Sequence, residues 1–363
     1  MRMVGVEEEL LLVDARASRA KPAADQVVAE ARDSGDEGSQ FEREFKREQV
    51  ETATPPCESA EDLRSELTRL RAEMAKAAAT QDANVAALAT NPLPGWPTPT
   101  NEHRYEEMIR QFGLLAHLQL TCAQHVHVSI ASKDEGVGVL DRIRPWLAVL
   151  TALSANSPFW LGEDTGYASY RTMLWGQWPT AGANELFGDA DTYERTVADL
   201  LASETMLDRG MVYFDARLSA TYPTVEIRVA DVCQHVDDAV AIALLSRALV
   251  DTAARDWHAG RPPADVRVGL LRAATWRAAR SGMTGDLVDL ERARAVPAWT
   301  LVDRLLEHVW PALQRYGDDQ ATMSALGTIR ERGTGARQQR VAFAEREELA
   351  DVVADAVLRT GES

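Results

Sequence analysis

The stretch Gly5-Val6-Glu7-Glu8-Glu9-Leu10-Leu11-Leu12-Val13 places three consecutive carboxylates inside an otherwise apolar run of strand character. Side chains on a strand alternate between its two faces, so Glu7 and Glu9 share one face with Leu11 and Val13, and Glu8 shares the other with Val6, Leu10 and Leu12. Two neighbouring carboxylates repel. Near a core they are tolerated only if one takes a proton, a cation sits between them, or the strand end opens into water.

Three later stretches repeat this combination of a polar face and an apolar one. Gln49-Val50-Glu51-Thr52-Ala53-Thr54, closed by Pro55-Pro56, carries Glu51 on a short β-prone segment, with Glu44 seven residues before it as a weaker candidate. Ala123 to Ile130 puts His125, His127 and Ser129 opposite Val126, Val128 and Ile130. Thr224 to Asp231 puts Thr224, Glu226 and Arg228 opposite Val225, Ile227 and Val229. Taken singly, each has a bland explanation: a solvated strand end, a satisfied His-x-His pair, or an edge ion pair worth less than about 1 kcal/mol. Their joint occurrence points to a site. Carboxylate oxygens joined by neutral imidazole suit Mg²⁺ or Mn²⁺ better than zinc. Such ions on a sheet grip the phosphate oxygens of a nucleotide, with arginines completing the clamp. Arg228, Arg171 and Arg330 are the candidates for that role. No GxxxxGK[ST], no GxGxxG opening a helix and no GxSxG occurs, which argues against a P-loop, a Rossmann site or a serine hydrolase.

At 363 residues the chain has room for one large domain or two ordinary ones, and no linker divides it, so residues 1–363 read as one domain. Helical spacing runs from an N-cap at Ser59 to about Ala89, then over 102–115, 139–155, 239–257, 267–280 and 298–313. Ser34 to Ser39 reads as a turn and the proline-rich 91–100 as a loop. A long loop rich in glycine and tryptophan runs to near Thr192, its tryptophans 160, 175 and 178 read as loop packing. Met211 to Leu218 and Thr224 to Asp231 form a hairpin, and the segment Arg330 to Arg337 interrupts helix with glycines among arginines. The class is α+β, a largely antiparallel sheet with helices packed behind it. A formal charge of −17 disfavours a nucleic-acid backbone or an anionic membrane as partner. No apolar run approaches a membrane span and no signal-peptide core follows Met1, so the expected location is cytoplasmic. Cys57, Cys122 and Cys233 have neither the number nor the spacing of a disulfide framework or a thiolate zinc site.

The segments Gly5 to Glu9, Glu51-Thr52-Ala53-Thr54-Pro55, His125 to Ser129, Ser157-Pro158-Phe159-Trp160, Tyr170-Arg171 and Glu226-Ile227-Arg228 resemble, in order, the glutamate-cysteine ligase type 2 group of carboxylate-amine ligases in the glutamine synthetase-like superfamily. The resemblance implies a curved, largely antiparallel sheet whose concave face holds ATP and Mg²⁺ or Mn²⁺. It implies Glu9, Glu51, His125 and Glu226 as metal ligands with Glu7 beside them, His127 near ATP, and Arg228 and Arg171 on the transferring phosphate. The implied reaction phosphorylates a substrate carboxylate, often the γ-carboxyl of glutamate, and an amine then attacks the acyl phosphate. In this group glutamate-cysteine ligase activity is often weak. The partners implied are a small carboxylate and a small amine, with a homodimer as the default assembly. Three competing expectations are a metal-dependent hydrolase, a guanidino-kinase-like phosphotransferase and a non-catalytic nucleotide sensor.

Overall fold

The computed structural model describes residues 1–34 and 40–361; beyond Ser34, the turn expected over Ser34 to Ser39 lies outside the described residues. The opening stretch is a strand, β1 (Val4–Asp14), and a sheet grows on both its edges. One edge pairs with β3 (Gln49–Ala53), which pairs in turn with β2 (Gln40–Arg43). The other edge pairs with β5 (Ala123–Ser129) along its first half and with β4 (Ala83–Ala86) along its second. Two hairpin strands outside this sheet, β6 (Phe159–Trp160) and β7 (Glu163–Asp164), precede β8 (Ala216–Leu218) and β9 (Thr224–Asp231), which extend it beyond β5. Every pairing in the sheet is antiparallel, as the sequence implied.

The helices in chain order are α1 (Ala24–Ser34), α2 (Ala60–Ala79), α3 (His103–Phe112), α4 (Leu114–Leu118), α5 (Lys133–Ile143), α6 (Leu147–Ser154), α7 (Tyr170–Trp175), α8 (Ala190–Ala202), α9 (Val236–His258) and α10 (Val268–Ser281). The small hairpin of β10 (Asp286–Asp289) and β11 (Arg294–Pro297) follows, then α11 (Ala298–Tyr316), α12 (Asp319–Arg332), α13 (Gly335–Arg346) and α14 (Leu349–Gly361). Ser59 caps α2 as expected, accepting from the Asp62 N–H at 3.0 Å. The helix stops at Ala79 and does not reach Ala89. Asp82 turns the chain at φ +50°, and the alanine-rich segment after it gains more by pairing with β1 than by continuing a helix. Gly113, at φ +56°, splits the helix expected over 102–115, and Pro145 splits the one expected over 139–155. The hairpin strand expected from Met211 begins only at Ala216, and the long loop after Trp160 holds α7.

Behind the sheet lie α2 and α9. The apolar back face of Val6, Val126, Val128, Val225 and Ile227 packs into one cluster with Ala239 and Ala243 of α9, all of them essentially inaccessible. Each such buried aliphatic side chain contributes about 1.5–3 kcal/mol. Glu8 also points to this side, where Arg71 of α2 meets it through two hydrogen bonds of 2.8 and 2.6 Å, both side chains fully buried. Arg71 also donates to the carbonyls of Cys233 (2.7 Å) and Gln234 (2.9 Å), tying α2 to the chain leaving β9. The interruption expected near Arg330 falls at Gly333, φ +91°. Beyond it Gly335 packs so closely that a Cβ would lie 2.0 Å from Asn156 Oδ1.

Candidate active site

Antiparallel register aligns the polar residues of the front face. Glu9 stands opposite Glu51, Glu7 opposite His125, and His127 opposite Glu226. Between β5 and β9 the register slips by one: the single residue His125 is faced by both Arg228 and Val229, a β-bulge. Arg228, two residues after Glu226 on β9, lies beside it on the front face.

Three overlapping groups of potential ligands result: Glu7, His127 and Glu226; Glu7, Glu51 and His125; Glu9, Glu44 and Glu51. Within each group the donor atoms lie within 4.8 Å of one another. His125 Nδ1 is 3.3 Å from Glu7 Oε2, and His127 Nε2 is 3.2 Å from Glu7 Oε1. His127 Nδ1 meets Thr224 Oγ1 at 2.9 Å, while His125 Nε2 is buried without a hydrogen-bond partner among the described residues. Buried polar atoms are normally satisfied, so this orphaned ring nitrogen, set among carboxylates, fits a divalent cation.

The acids fall into two electrostatic populations. Burial raises Glu7, but the flanking imidazoles outweigh it and hold Glu7 well below the carboxylate range. Burial likewise raises Glu226, and Arg228 and Arg217 more than reverse that. Glu9 goes the other way, pushed up to about 8 by burial and then by Glu44, and burial and Glu44 also push Glu51 well up. Burial takes His125 down to about 4, so its ring is neutral near pH 7. A cation entering among Glu9, Glu44 and Glu51 must displace protons held below about pH 8. Mn²⁺ affinity is therefore expected to rise by about tenfold per pH unit for each proton released between pH 6 and 8. Titration calorimetry at pH 6, 7 and 8 checks this, and a pH-independent affinity refutes it.

Two buried arginines face the cluster. Arg228 donates to Glu226, which Arg217 also grips at 2.7 and 3.1 Å. Arg171, on α7, donates to the Arg228 carbonyl at 3.1 Å. It is set by Asp231, whose carboxylate accepts from Asn156 N (2.8 Å), Ser157 Oγ (2.7 Å) and Ser169 Oγ (2.8 Å), while Ser157 Oγ accepts from Arg171 N at 3.0 Å. Both guanidinium groups lie over the Trp175 ring, at 5.8 and 5.7 Å, and both Nε atoms are buried with no hydrogen-bond partner among the described residues. Glu7, Glu9, Glu51, His125 and Arg228 line one cavity of about 280 Å³. Arg171 lines a second of about 360 Å³, which shares Arg228, Trp175 and Tyr213 with the first.

Arg330 is not brought to this cluster. It sits exposed on α12 with its guanidinium 4.9 Å from the centre of the Trp299 ring, and it lines neither cavity. Arg217 and Asp215 are residues of these walls that sequence reading passed over. Running the register of the β8–β9 hairpin places Arg217 opposite Glu226 and would have found it. Glu44 is promoted from a weak candidate to a member of the third ligand group because the chain bends between β2 and β3.

The antiparallel sheet backed by helices is a fold shared with known glutamate-cysteine ligases. Its backbone superposes on a glutamate-cysteine ligase from Francisella tularensis in complex with AMP, with a TM-score of 0.70 at 12% identity over 99% of this chain and 88% of that one. A bifunctional glutathione synthetase from Pasteurella multocida matches with a TM-score of 0.70 at 14% identity, over 99% of this chain and 52% of that one. The family model for glutamate-cysteine ligase family 2 matches residues 3–355, and the chain belongs to that family. A Streptomyces avermitilis protein with the provisional name glutamate-cysteine ligase 2-1 is 50% identical over 360 residues, 99% of each chain.

Proposed function

We propose that this protein is an ATP-dependent carboxylate-amine ligase, with residues 1–363 acting as one catalytic domain. The observation that carries the reading is the clustering of Glu7, Glu9, Glu44, Glu51, His125, His127 and Glu226 beside two buried arginines with unpaired Nε atoms. This is a site with more carboxylates than its arginines pair, flanked by donors that an anionic ligand would satisfy. The carboxylates and imidazoles would hold Mg²⁺ or Mn²⁺, which offsets phosphate charge when bound. Arg228, fixed by Glu226, and Arg171, fixed through Asp231, present their guanidinium groups to the phosphoryl group as it passes from ATP to a substrate carboxylate. Their positions are set before substrate arrives, so little reorganisation is needed as charge develops. An amine then attacks the acyl phosphate and releases phosphate. Glutamate is the first carboxylate to test and cysteine the first amine.

The test is ATP consumption by the purified protein with Mg²⁺ or Mn²⁺, with carboxylate alone and with an amine panel, while mass spectrometry follows new amides. ADP and amide formed together, only when both substrates are present, is the expected result. Hydrolysis of an amide or ester without nucleotide would replace the reading with a hydrolase, and a phosphorylated guanidine with a kinase.

A further inference from the structure

The second cavity meets the first at Arg228, Trp175 and Tyr213, which line both. Away from that junction its wall is aromatic and basic. Trp175, Tyr213, Phe214 and Trp276 supply the aromatic surface, and Arg272 and Trp276, four residues apart on α10, bring one face of that helix to it. The Trp276 indole N–H donates to Tyr167 Oη at 3.3 Å. At about 360 Å³ the cavity falls within the range of about 300–1,000 Å³ typical of small-molecule sites.

Three guanidinium groups line this cavity against one half-buried carboxylate, that of Asp215. The three are not equivalent. Arg171 and Arg228 are buried at the end that meets the first cavity, and each faces a carboxylate of its own, Asp231 at 3.8 Å and Glu226. Arg272 is exposed on α10 and has no hydrogen-bond or ion-pair partner among the described residues. An ammonium entering here would meet mostly like charge. A molecule spanning the cavity meets two guanidinium groups at its inner end, aromatic faces along its middle and an uncommitted guanidinium at its mouth. That sequence of surfaces suits an apolar body with an anionic group at each end.

We propose that the second cavity takes the acid substrate, and that this substrate is a diacid with an apolar or aromatic body, one carboxylate lying between Arg171 and Arg228 and the other on Arg272. This deepens the ligase reading above and rests on it. An oxygen of the inner carboxylate attacks the γ-phosphorus of ATP, the bond from that phosphorus to the β-phosphate oxygen breaks, and ADP leaves. The acyl phosphate so formed stays under the same two arginines, which is why they can serve both the carboxylate and the transferring group. Arg272 touches none of the reacting atoms and acts as a specificity-determining residue. The body lies against Trp175, Tyr213 and Trp276. Glutamate, whose α-ammonium would stand among guanidinium groups, is therefore a poorer substrate than a diacid without an amino group.

The experiment traps the acyl phosphate with hydroxylamine, in the presence of ATP and Mn²⁺, and measures the hydroxamate. The hydroxylamine nitrogen attacks the acyl carbon, the C–O bond to phosphate breaks, and phosphate and a proton are released. Four acids are compared: 3-phenylglutarate; 3-phenylbutyrate, which has the same body without the second carboxylate; glutarate; and glutamate. In the unaltered protein kcat/KM is expected to be at least about tenfold higher for 3-phenylglutarate than for 3-phenylbutyrate or glutamate, the worth of about one charge-assisted hydrogen bond. Arg272→Met is expected to abolish the preference over 3-phenylbutyrate through KM for the diacid, and Arg272→Lys to restore part of it. Trp276→Leu is expected to raise KM for 3-phenylglutarate about fivefold more than KM for glutarate. Arg272 and Trp276 are both exposed, so neither substitution opens the core. A preference for glutamate, or a diacid-to-monoacid ratio that Arg272→Met leaves unchanged, overturns the diacid site alone, because hydroxamate is still made. No hydroxamate from any carboxylate sinks the ligase reading, and the diacid site falls with it.

Discussion

Arg228→Met lowers kcat for amide formation by about 10²–10³-fold while leaving the protein folded, the cost expected when one preorganised donor is removed from developing transition-state charge. Methionine keeps most of the side-chain volume and removes the cation. The fold survives because Arg217 still grips Glu226 through two hydrogen bonds, at 2.7 and 3.1 Å, so no bare carboxylate is left behind. The guanidinium Nε has no hydrogen-bond partner among the described residues, and in the proposed reaction it meets the phosphoryl group, whose charge changes during transfer, so the loss is expected to fall on kcat more than on KM. Arg228→Lys restores charge but not the planar fork, and recovers only part of the rate. Steady-state kinetics on both variants decide the matter. A loss below tenfold in Arg228→Met would remove Arg228 from the transferring phosphate.

The largest loss of stability is expected behind the sheet. Arg71→Met strands Glu8, which has 0% side-chain exposure, with no counter-charge in the helix layer. Breaking a buried pair from one side costs about 3–5 kcal/mol, because the remaining charge must be buried alone or neutralised by a proton. The double variant Arg71→Met/Glu8→Leu recovers much of this, since no charge is then left in the core. Recovery stays incomplete because the carbonyls of Cys233 and Gln234 lose their donor. Urea denaturation of the three proteins measures both effects, and a single-variant loss below about 1 kcal/mol would refute the account.

Much of the front face was legible because a strand's alternation needs no partner to be read. Gly5 to Val13, Ala123 to Ile130 and Thr224 to Asp231 each separate polar from apolar residues by parity alone, and all three are strands in the sheet. What parity cannot give is register. Nothing local says that Glu9 faces Glu51, or that a bulge seats Arg228 and Val229 together opposite His125. Segments whose state depends on a distant partner went astray for the same reason. Ala83–Ala86 looks helical until β1 is there to pair with it, and α1 went unread within a polar, weakly patterned stretch. Arg330 drew notice through its glycine neighbours, which end α12 at Gly333; its guanidinium rests on Trp299 instead.

The three consecutive glutamates of β1 also act before the native state is reached. In the native register two carboxylates face the front of the sheet and one faces Arg71. Sliding the strand by one residue exchanges its faces, driving Glu7 and Glu9 into the helix layer against a single arginine and leaving Glu8 alone in front. Mispaired compact states are thereby raised in energy at the strand on which the rest of the sheet assembles. The charges assigned to the proposed site also widen the gap between the correct fold and its nearest competitors, so folding fidelity and the proposed chemistry draw on the same residues.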